Sequence, residues 1–354
     1  MQIAISLYGF GNVGREFVRL LNRKMLYLKS RHGIEPRVVS IVTRRGGVRA
    51  ESGIDWPVLV NLANAGTLSE QEGFVGGAPD DLDRWLPPEE SGDIRVLVDA
   101  TWSDLTTGEP GLSRLKGAAR RGCHLVTLNK APLVADFDGM VQAARKARVR
   151  LKFSGATAAG LPTIDTVRVS LAGAEVHSIE GVLNSTTNYI LTAMSDNALS
   201  YEEALRRSQA LGLAETDPER DVSGIDTACK ILVLANAAMG ARKRLSDVKV
   251  TGITDVTPRQ IAYWAVQGRT LRLVGRAART DDDVSIEVKP TPVPYRDFLA
   301  QVTGDGKGVR FTTDMFGELT IVGGAGGPSA AAGSALKDLV NLARALDGDQ
   351  GLIP

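Results

Sequence analysis

From Glu215 to Lys230 the chain reads Glu-Thr-Asp-Pro-Glu-Arg-Asp-Val-Ser-Gly-Ile-Asp-Thr-Ala-Cys-Lys, five carboxylates and two cations in sixteen residues, and it leads straight into the apolar run Ile231-Leu-Val-Leu-Ala. Asp226 and Lys230 are four apart, so a helix puts them on one face, with Glu215 and Asp221 just upstream. A lysine entering an apolar face must snorkel, find a partner or lower its pKa, and a carboxylate one turn back supplies the partner. Such a cluster can hold a zwitterion or move a proton. The alternative is a solvated helix start in which acids favour the positive end of the dipole and Pro218 punctuates the turn. That reading accounts for Asp217, Glu219 and Arg220 and leaves Lys230 unexplained.

A second constellation lies near the start of the chain. Gly9-Phe10-Gly11-Asn12-Val13-Gly14 follows a strand-like run over 2–8 and precedes a helical pattern through Phe17, Leu20, Leu21 and Leu28. In that context the glycines allow a tight turn, close approach of a pyrophosphate and close helix-sheet packing. A methyltransferase can use a similar turn, so the reaction class stays open on this motif alone. An NAD-binding second strand should end in Asp or Glu, but here the chain continues Thr43-Arg44-Arg45-Gly46. Two arginines in place of an acid suit a 2′-phosphate and favour NADP over NAD, the alternative being a pair of solvated loop arginines. Ligands of such sheets react beyond the carboxyl ends of strands, which directs attention to Asp99-Ala100-Thr101 and Leu128-Asn129-Lys130.

The elements that must position these groups follow from periodicity. Strand-like runs at 37–42, 94–99 and 124–128 alternate with helical patterns near 106–121 and 136–148, predicting a Rossmann-type doubly wound parallel sheet. The stretch 44–93, rich in Gly, Pro and acids, predicts one short helix around 57–65 among irregular connections. After 150–153 the texture shifts to a Gly/Ala loop, a strand over 176–183, helices near 187–196, 200–212 and 221–239, and strands at 271–278, 284–289 and 319–322. This predicts a second α/β domain with a separate core. The glycine loop 323–327 then opens a helix over 330–346.

Composition narrows the function classes. The 354 residues give ample core for two domains without staples. The balance of 42 Lys plus Arg against 41 Asp plus Glu, without a basic block, excludes a nucleic-acid or membrane surface and points to a small-molecule partner. Two isolated cysteines, Cys123 and Cys229, fit a reducing compartment, and the opening strand carries no signal-peptide pattern, so a cytoplasmic location is expected. Three scattered histidines and these cysteines make no transition-metal set.

Taken together these residues resemble the homoserine dehydrogenase family. The resemblance rests on Gly9 to Gly14, Val126-Thr-Leu-Asn-Lys-Ala-Pro-Leu133, Ala158-Ala-Gly-Leu-Pro-Thr-Ile164, Gly181-Val-Leu-Asn-Ser-Thr-Thr-Asn-Tyr-Ile-Leu191, the acidic segment through Lys230 and the last glycine loop. These blocks stand in the family's order, at the length of its short form without a kinase or regulatory domain. The resemblance implies a dinucleotide-binding domain over 1–133 and 311–354, to which the last helix returns, with a substrate-binding and dimerisation domain over 134–310. The resemblance implies NAD(P)-dependent interconversion of L-homoserine and L-aspartate 4-semialdehyde, in threonine, methionine and isoleucine biosynthesis, by a homodimer. It implies Lys130 and Lys230 at the reacting carbon, and Thr186, Glu215, Asp221 and Asp226 on the substrate. Gly9, Phe10, Gly11, Asn12, Val13, Gly14, Thr43, Arg44, Arg45, Thr101, Lys130 and Gly326 are the expected cofactor contacts. Lys230 is assigned the proton transfer and Lys130 the positioning role, with the reverse still open.

The chain also departs from the family. Where members carry a glutamate that helps bind a sodium ion, this chain has Ser154-Gly-Ala-Thr157, leaving only the carbonyls of Thr157 and Ala159 for a hard cation, so weakened binding or none is expected. Ser185 replaces a glycine, and the usual asparagine near the late strands is replaced around Lys307-Gly308. Two rivals therefore remain: a dehydrogenase for another small amino or hydroxy acid, and a non-catalytic NADP-binding protein.

Overall fold

A computed structural model of the chain describes residues 1–89, 92–324 and 326–348. It divides into two compact units, Met1–Ala156 with the chain from Pro328 onward, and Thr157–Gly327.

The first unit is built on a seven-stranded sheet of β1 (Gln2–Tyr8), β2 (Glu35–Thr43), β3 (Gly46–Arg49), β4 (Val75–Gly76), β5 (Ile94–Asp99), β6 (His124–Thr127) and β7 (Leu151–Lys152), in the order β4-β3-β2-β1-β5-β6-β7. The run β2-β1-β5-β6-β7 is parallel, and β3 and β4 add an antiparallel edge. Strand order reverses between β1 and β5, the crevice where doubly wound sheets bind ligands. Residues 3–8 of β1 are buried, as expected of a central parallel strand covered on both faces. Helix Asn12–His32 packs Phe17, Leu21 and Leu28 on this sheet, and helix Gly327–Leu346 joins the same core through Ala335, Leu339 and Leu342. The doubly wound fold is thus as the alternation of patterns indicates.

The second unit has a six-stranded sheet of β8 (Val176–Val182), β9 (Lys249–Val250), β10 (Arg269–Arg279), β11 (Val284–Pro294), β12 (Lys307–Thr313) and β13 (Gly317–Gly323), in the order β13-β12-β8-β10-β11-β9. All pairings are antiparallel except β11 with β9. Helix Ile225–Met239 lies across β8, β10 and β11. It approaches closely because β10 carries Gly275, where a Cβ would sit 3.0 Å from Thr227 Cγ2 and 3.2 Å from the Ile231 Cβ.

The division between units falls elsewhere than at 133 and 311. Helix Phe137–Lys146 packs on helix Gly111–Arg120 and β7 pairs with β6, so the first unit runs on to 156. At the other end β12 pairs with both β8 and β13, which carries 311–327 into the second sheet. Strand β12 escapes the sequence reading because Asp305-Gly306-Lys307-Gly308 resembles a turn, although Val309, Phe311 and Thr313 alternate inward as a half-buried strand requires. Helix Pro258–Val266 also escapes it, yet its signals are present: Pro258 at the first turn and a capping box between Thr257 and Gln260. The irregular stretch contains the expected helix, at Trp56–Asn64, and adds β3, β4 and helix Leu82–Trp85.

Candidate active site

In the first unit, β1 ends at Tyr8 and Gly9 turns the chain with φ +91, a conformation that favours glycine. A Cβ on Gly9 would lie 2.5 Å from the Ala100 carbonyl oxygen, and one on Gly14 would lie 2.1 Å from the Gly9 carbonyl oxygen. Both glycines are therefore needed for packing. Gly11 differs: a Cβ there meets nothing within 4 Å, so its missing side chain leaves open space above the turn. Gly11 is also the N-cap of helix Asn12–His32, with no side-chain cap and no acid in the first turn, while Lys29, Arg31 and His32 occupy the last. A positive helix end with free N–H groups facing open space fits a pyrophosphate. One concavity here is lined by Gly9, Phe10, Gly11, Thr43, Arg44, Thr101 and Trp102, and a neighbouring one by Arg15, Arg44, Arg45, Thr67 and Phe74 with others. Arg44 and Arg45 are exposed, and their guanidinium groups make no ion pair among the described residues. The residues present thus fit a dinucleotide, with Arg44 and Arg45 placed to meet negative charge.

The two polar strand endings join. Asp99, fully buried at the end of β5, accepts from Thr101 N at 3.0 Å and Thr101 Oγ1 at 2.6 Å, and from Asn129 Nδ2 at 3.2 Å. The Asn129 amide also donates to Ser103 Oγ at 2.7 Å, while its carbonyl oxygen accepts from Ala131 N at 3.2 Å. This network locks the turn after β6, so that Lys130, the N-cap of helix Ala131–Ala135, leaves the chain from a fixed backbone position. Ser103 and Asn129 had no assigned role; a buried asparagine beside a buried aspartate is the signal that identifies them.

In the second unit, Gly224 takes φ +84 as the N-cap of helix Ile225–Met239, setting Asp226 in the first turn and Lys230 one turn on. Lys230 Nζ lies 2.7 Å from Asp226 Oδ2 and donates to the Leu183 carbonyl at 2.8 Å. Asn184, the next residue, caps helix Ser185–Asn197 by accepting from Thr187 N at 2.9 Å. Its amide nitrogen donates to Asp221 Oδ1 and to Asp226 Oδ2, each at 2.8 Å. Asp221, Asp226 and Lys230 are therefore one hydrogen-bonded cluster, tied by a residue the sequence reading had not assigned. Glu215 and Thr186 stand apart from those bonds. Glu215 is exposed, and among the described residues only its backbone carbonyl is engaged, by Gln209 Nε2 at 3.1 Å. Thr186 Oγ1 donates to the Leu213 carbonyl at 2.9 Å, fixing the loop that leads to Glu215. Asp217 accepts from Glu219 N at 3.3 Å, as a helix-start residue does. Gly326 faces Ser185, whose Oγ would lie 4.0 Å from a Cβ built on it; its neighbour Ala325 in the glycine loop lies outside the described residues.

Of the two carbonyls expected to hold sodium, that of Ala159 is taken by an ammonium and does not fit the ion. The Ala159 carbonyl accepts a hydrogen bond from Lys307 Nζ, and the Thr157 hydroxyl is bonded to Thr163 Oγ1 at 2.8 Å. Ser154, standing where the resemblance puts the family's glutamate, spends its N–H and hydroxyl on the buried Asp338, both at 2.8 Å. Among the described residues no group of three His, Cys, Asp or Glu could hold a metal ion.

The chain is similar to known proteins in both sequence and fold. A sequence profile described as homoserine dehydrogenase matches residues 162–340. The chain is 34% identical over 340 residues to the homoserine dehydrogenase of Methanocaldococcus jannaschii, covering 96% of this chain and 98% of that one. It is 30% identical to an NAD(+)-dependent homoserine dehydrogenase of Pseudomonas canavaninivorans, covering 96% and 95%. The structure of a hyperthermophilic archaeal homoserine dehydrogenase in complex with NADPH superposes with a TM-score of 0.79 at 26% identity, covering 97% of this chain and 98% of that one.

Proposed function

The chain belongs to the homoserine dehydrogenase family and is an NAD(P)-dependent oxidoreductase acting on a CH–OH group; from that premise we propose that it interconverts L-homoserine and L-aspartate 4-semialdehyde with NADP preferred, as a cytoplasmic homodimer serving threonine, methionine and isoleucine biosynthesis. The first unit is the dinucleotide-binding domain and the second binds substrate. The observation that carries this reading is the Asp221–Asn184–Asp226–Lys230 cluster, which combines a proton carrier with fixed carboxylates.

The nicotinamide cofactor, when bound, supplies or accepts the hydride. The chain's own residues do the rest. Asp221 and the open carboxylate of Glu215 take the substrate ammonium, while Asp226 holds Lys230 in place. In the reducing direction the Lys230 ammonium donates its proton to the oxygen that develops charge as the aldehyde is reduced, and in the oxidising direction neutral Lys230 takes the hydroxyl proton. Lys130 adds positive charge and orients the substrate. Support for NADP comes from the unpaired Arg44 and Arg45 at the end of β2, and the NADPH-bound structural neighbour is consistent with it. The two buried free cysteines accord with a reducing compartment, and no helix among the described residues is long and apolar enough to cross a membrane.

The test is to follow NADPH absorbance with aspartate semialdehyde, and NADP reduction with homoserine. Failure of the wild type to turn over either substrate would reject the assignment. Full activity in both Lys130→Ala and Lys230→Ala would reject the lysine roles.

A further inference from the structure

Lys307 begins β12, an interior strand paired with β13 on one side and β8 on the other, and it is only 5% exposed, its ammonium donating to the Ala159 carbonyl. Both ends of that contact are held in place. The segment before Lys307 is pinned by Asn188, whose amide donates to the Val302 and Gly306 carbonyls at 3.1 Å each, and by Thr192 Oγ1, which accepts from Gly304 N at 3.2 Å. The buried guanidinium of Arg272 binds the same segment, donating to the Val302 and Ala300 carbonyls at 3.0 Å each. The carbonyl turn is equally fixed. Gly160 sits at φ +83, the Thr157 and Thr163 hydroxyls bond across the turn, and Gly324 packs so tightly on it that a Cβ there would lie 2.5 Å from the Gly160 carbonyl oxygen.

The charge sits in a defined electrostatic setting. Lys230, Asp305 and Asp226 act electrostatically on Lys307, so its ammonium feels the charges of the acidic cluster and of the proposed proton-carrying lysine. Burying an ammonium costs free energy unless it is used, and here it does the two things a bound hard cation does: it organises a backbone carbonyl, and it adds positive charge beside carboxylates. An ammonium on a backbone oxygen also leaves a metal ion without that ligand and facing like charge.

We propose that Lys307 is a tethered internal cation that occupies the carbonyl turn at Ala159 in place of a monovalent metal ion, making this enzyme's activity independent of sodium and potassium. The proposal rests on the homoserine dehydrogenase reading for its activity assay. Lys307 is in this sense a positioning residue: it orders the turn and biases the cluster, and it exchanges no proton with the substrate.

The test compares initial rates in sodium, potassium and choline chloride at one ionic strength, together with ²³Na line widths of the purified protein titrated with NaCl. The wild type should turn over equally in all three salts and give no saturable ²³Na broadening. Lys307→Asn, which shortens the side chain and opens the turn, should lose about tenfold or more in kcat in choline chloride. It should recover saturably with added sodium or methylammonium, a rescue that a purely structural role would not show. Saturable sodium activation or ²³Na broadening in the wild type would overturn the proposal, as would wild-type kcat of Lys307→Asn in choline chloride. Should Lys307→Asn fail to fold, Lys307→Met and the wild-type line widths decide the matter. Absence of turnover in every salt counts against the proposed reaction, while the line widths still decide the cation.

Discussion

Asn184 Nδ2 lies 2.8 Å from Asp226 Oδ2, the same oxygen that meets Lys230 Nζ at 2.7 Å, so a neutral amide and an ammonium share one carboxylate oxygen at the start of a buried helix. The shared oxygen couples the cap of helix Ser185–Asn197 to the orientation of Lys230.

Removing Lys230, the proposed proton carrier, should affect chemistry more than binding. Lys230→Ala is expected to lower kcat by about 10²–10⁴-fold with little change in the cofactor dissociation constant. Asp226→Asn should also lower kcat, because Lys230 loses its charged partner. Steady-state kinetics and fluorescence titration with NADPH check both, and an unchanged kcat in Lys230→Ala would remove it from the chemistry.

Loss of the bridging amide should register in both stability and function. Asn184→Ala deletes an N-cap worth about 1 kcal/mol, removes the amide that donates to Asp221, and leaves Asp226 with one donor fewer beside Lys230. The expected result is a lower Tm and a raised KM for homoserine. An unaltered KM would show that the carboxylates reach the substrate without Asn184.

Two glycine variants separate fold from cofactor binding. Gly9→Ala places a Cβ 2.5 Å from a carbonyl oxygen at φ +91 and should destabilise by more than about 1 kcal/mol. Gly11→Ala meets no protein atom, so its Tm should hold while NADPH affinity falls. Thermal melts beside binding isotherms test the pair; normal affinity in Gly11→Ala would show that the pyrophosphate does not approach there.

Arg44→Ala with Arg45→Ala should weaken NADPH more than NADH, since only the former carries the 2′-phosphate. Equal losses for the two cofactors would refute that contact. Curated relatives include an NAD(+)-dependent enzyme, so the choice rests on this chain's own side chains.

The buried Lys307 predicts a pH dependence of stability. Burial first, and the Lys230 charge second, push its ammonium from 10.5 down to about 8. Between those values the unfolded chain binds the proton more tightly than the folded one, so this residue's contribution to stability rises as pH increases from about 8 toward 10.5. Below pH 8 the penalty is fully present. Between pH 7.5 and 9.5 the unfolding free energy of the wild type, from denaturant titrations, should gain on the order of 1–2 kcal/mol relative to Lys307→Met. Parallel curves for the two proteins would reject the shift.

Much of the site was legible because its signals are local. The glycine turn, the missing acid at Thr43-Arg44-Arg45, and the four-residue spacing of Asp226 and Lys230 all depend on neighbours in sequence, and the structure places each where that spacing requires. Asn184, Asn129 and Lys307 were not assigned roles because their partners lie far along the chain. Asn184 acts through residues 37 and 42 positions away, and Lys307 through one 148 positions away. The unit boundary was misplaced for the same reason: β12 is a strand by virtue of pairing with β8, across a separation that no local pattern encodes.

The sequence by itself determined the periodicities, and with them a doubly wound sheet, a glycine turn opening a helix, and a lysine one turn beyond an aspartate. Periodicity is a backbone property, carried by side chains a few residues apart. Tertiary structure alone decided which polar groups share hydrogen bonds, that Asn184 binds two carboxylates, that Asp338 answers Ser154, and that an ammonium rather than free space meets the Ala159 carbonyl. Buried polar groups must find partners, and which partner is in reach depends on how distant segments pack.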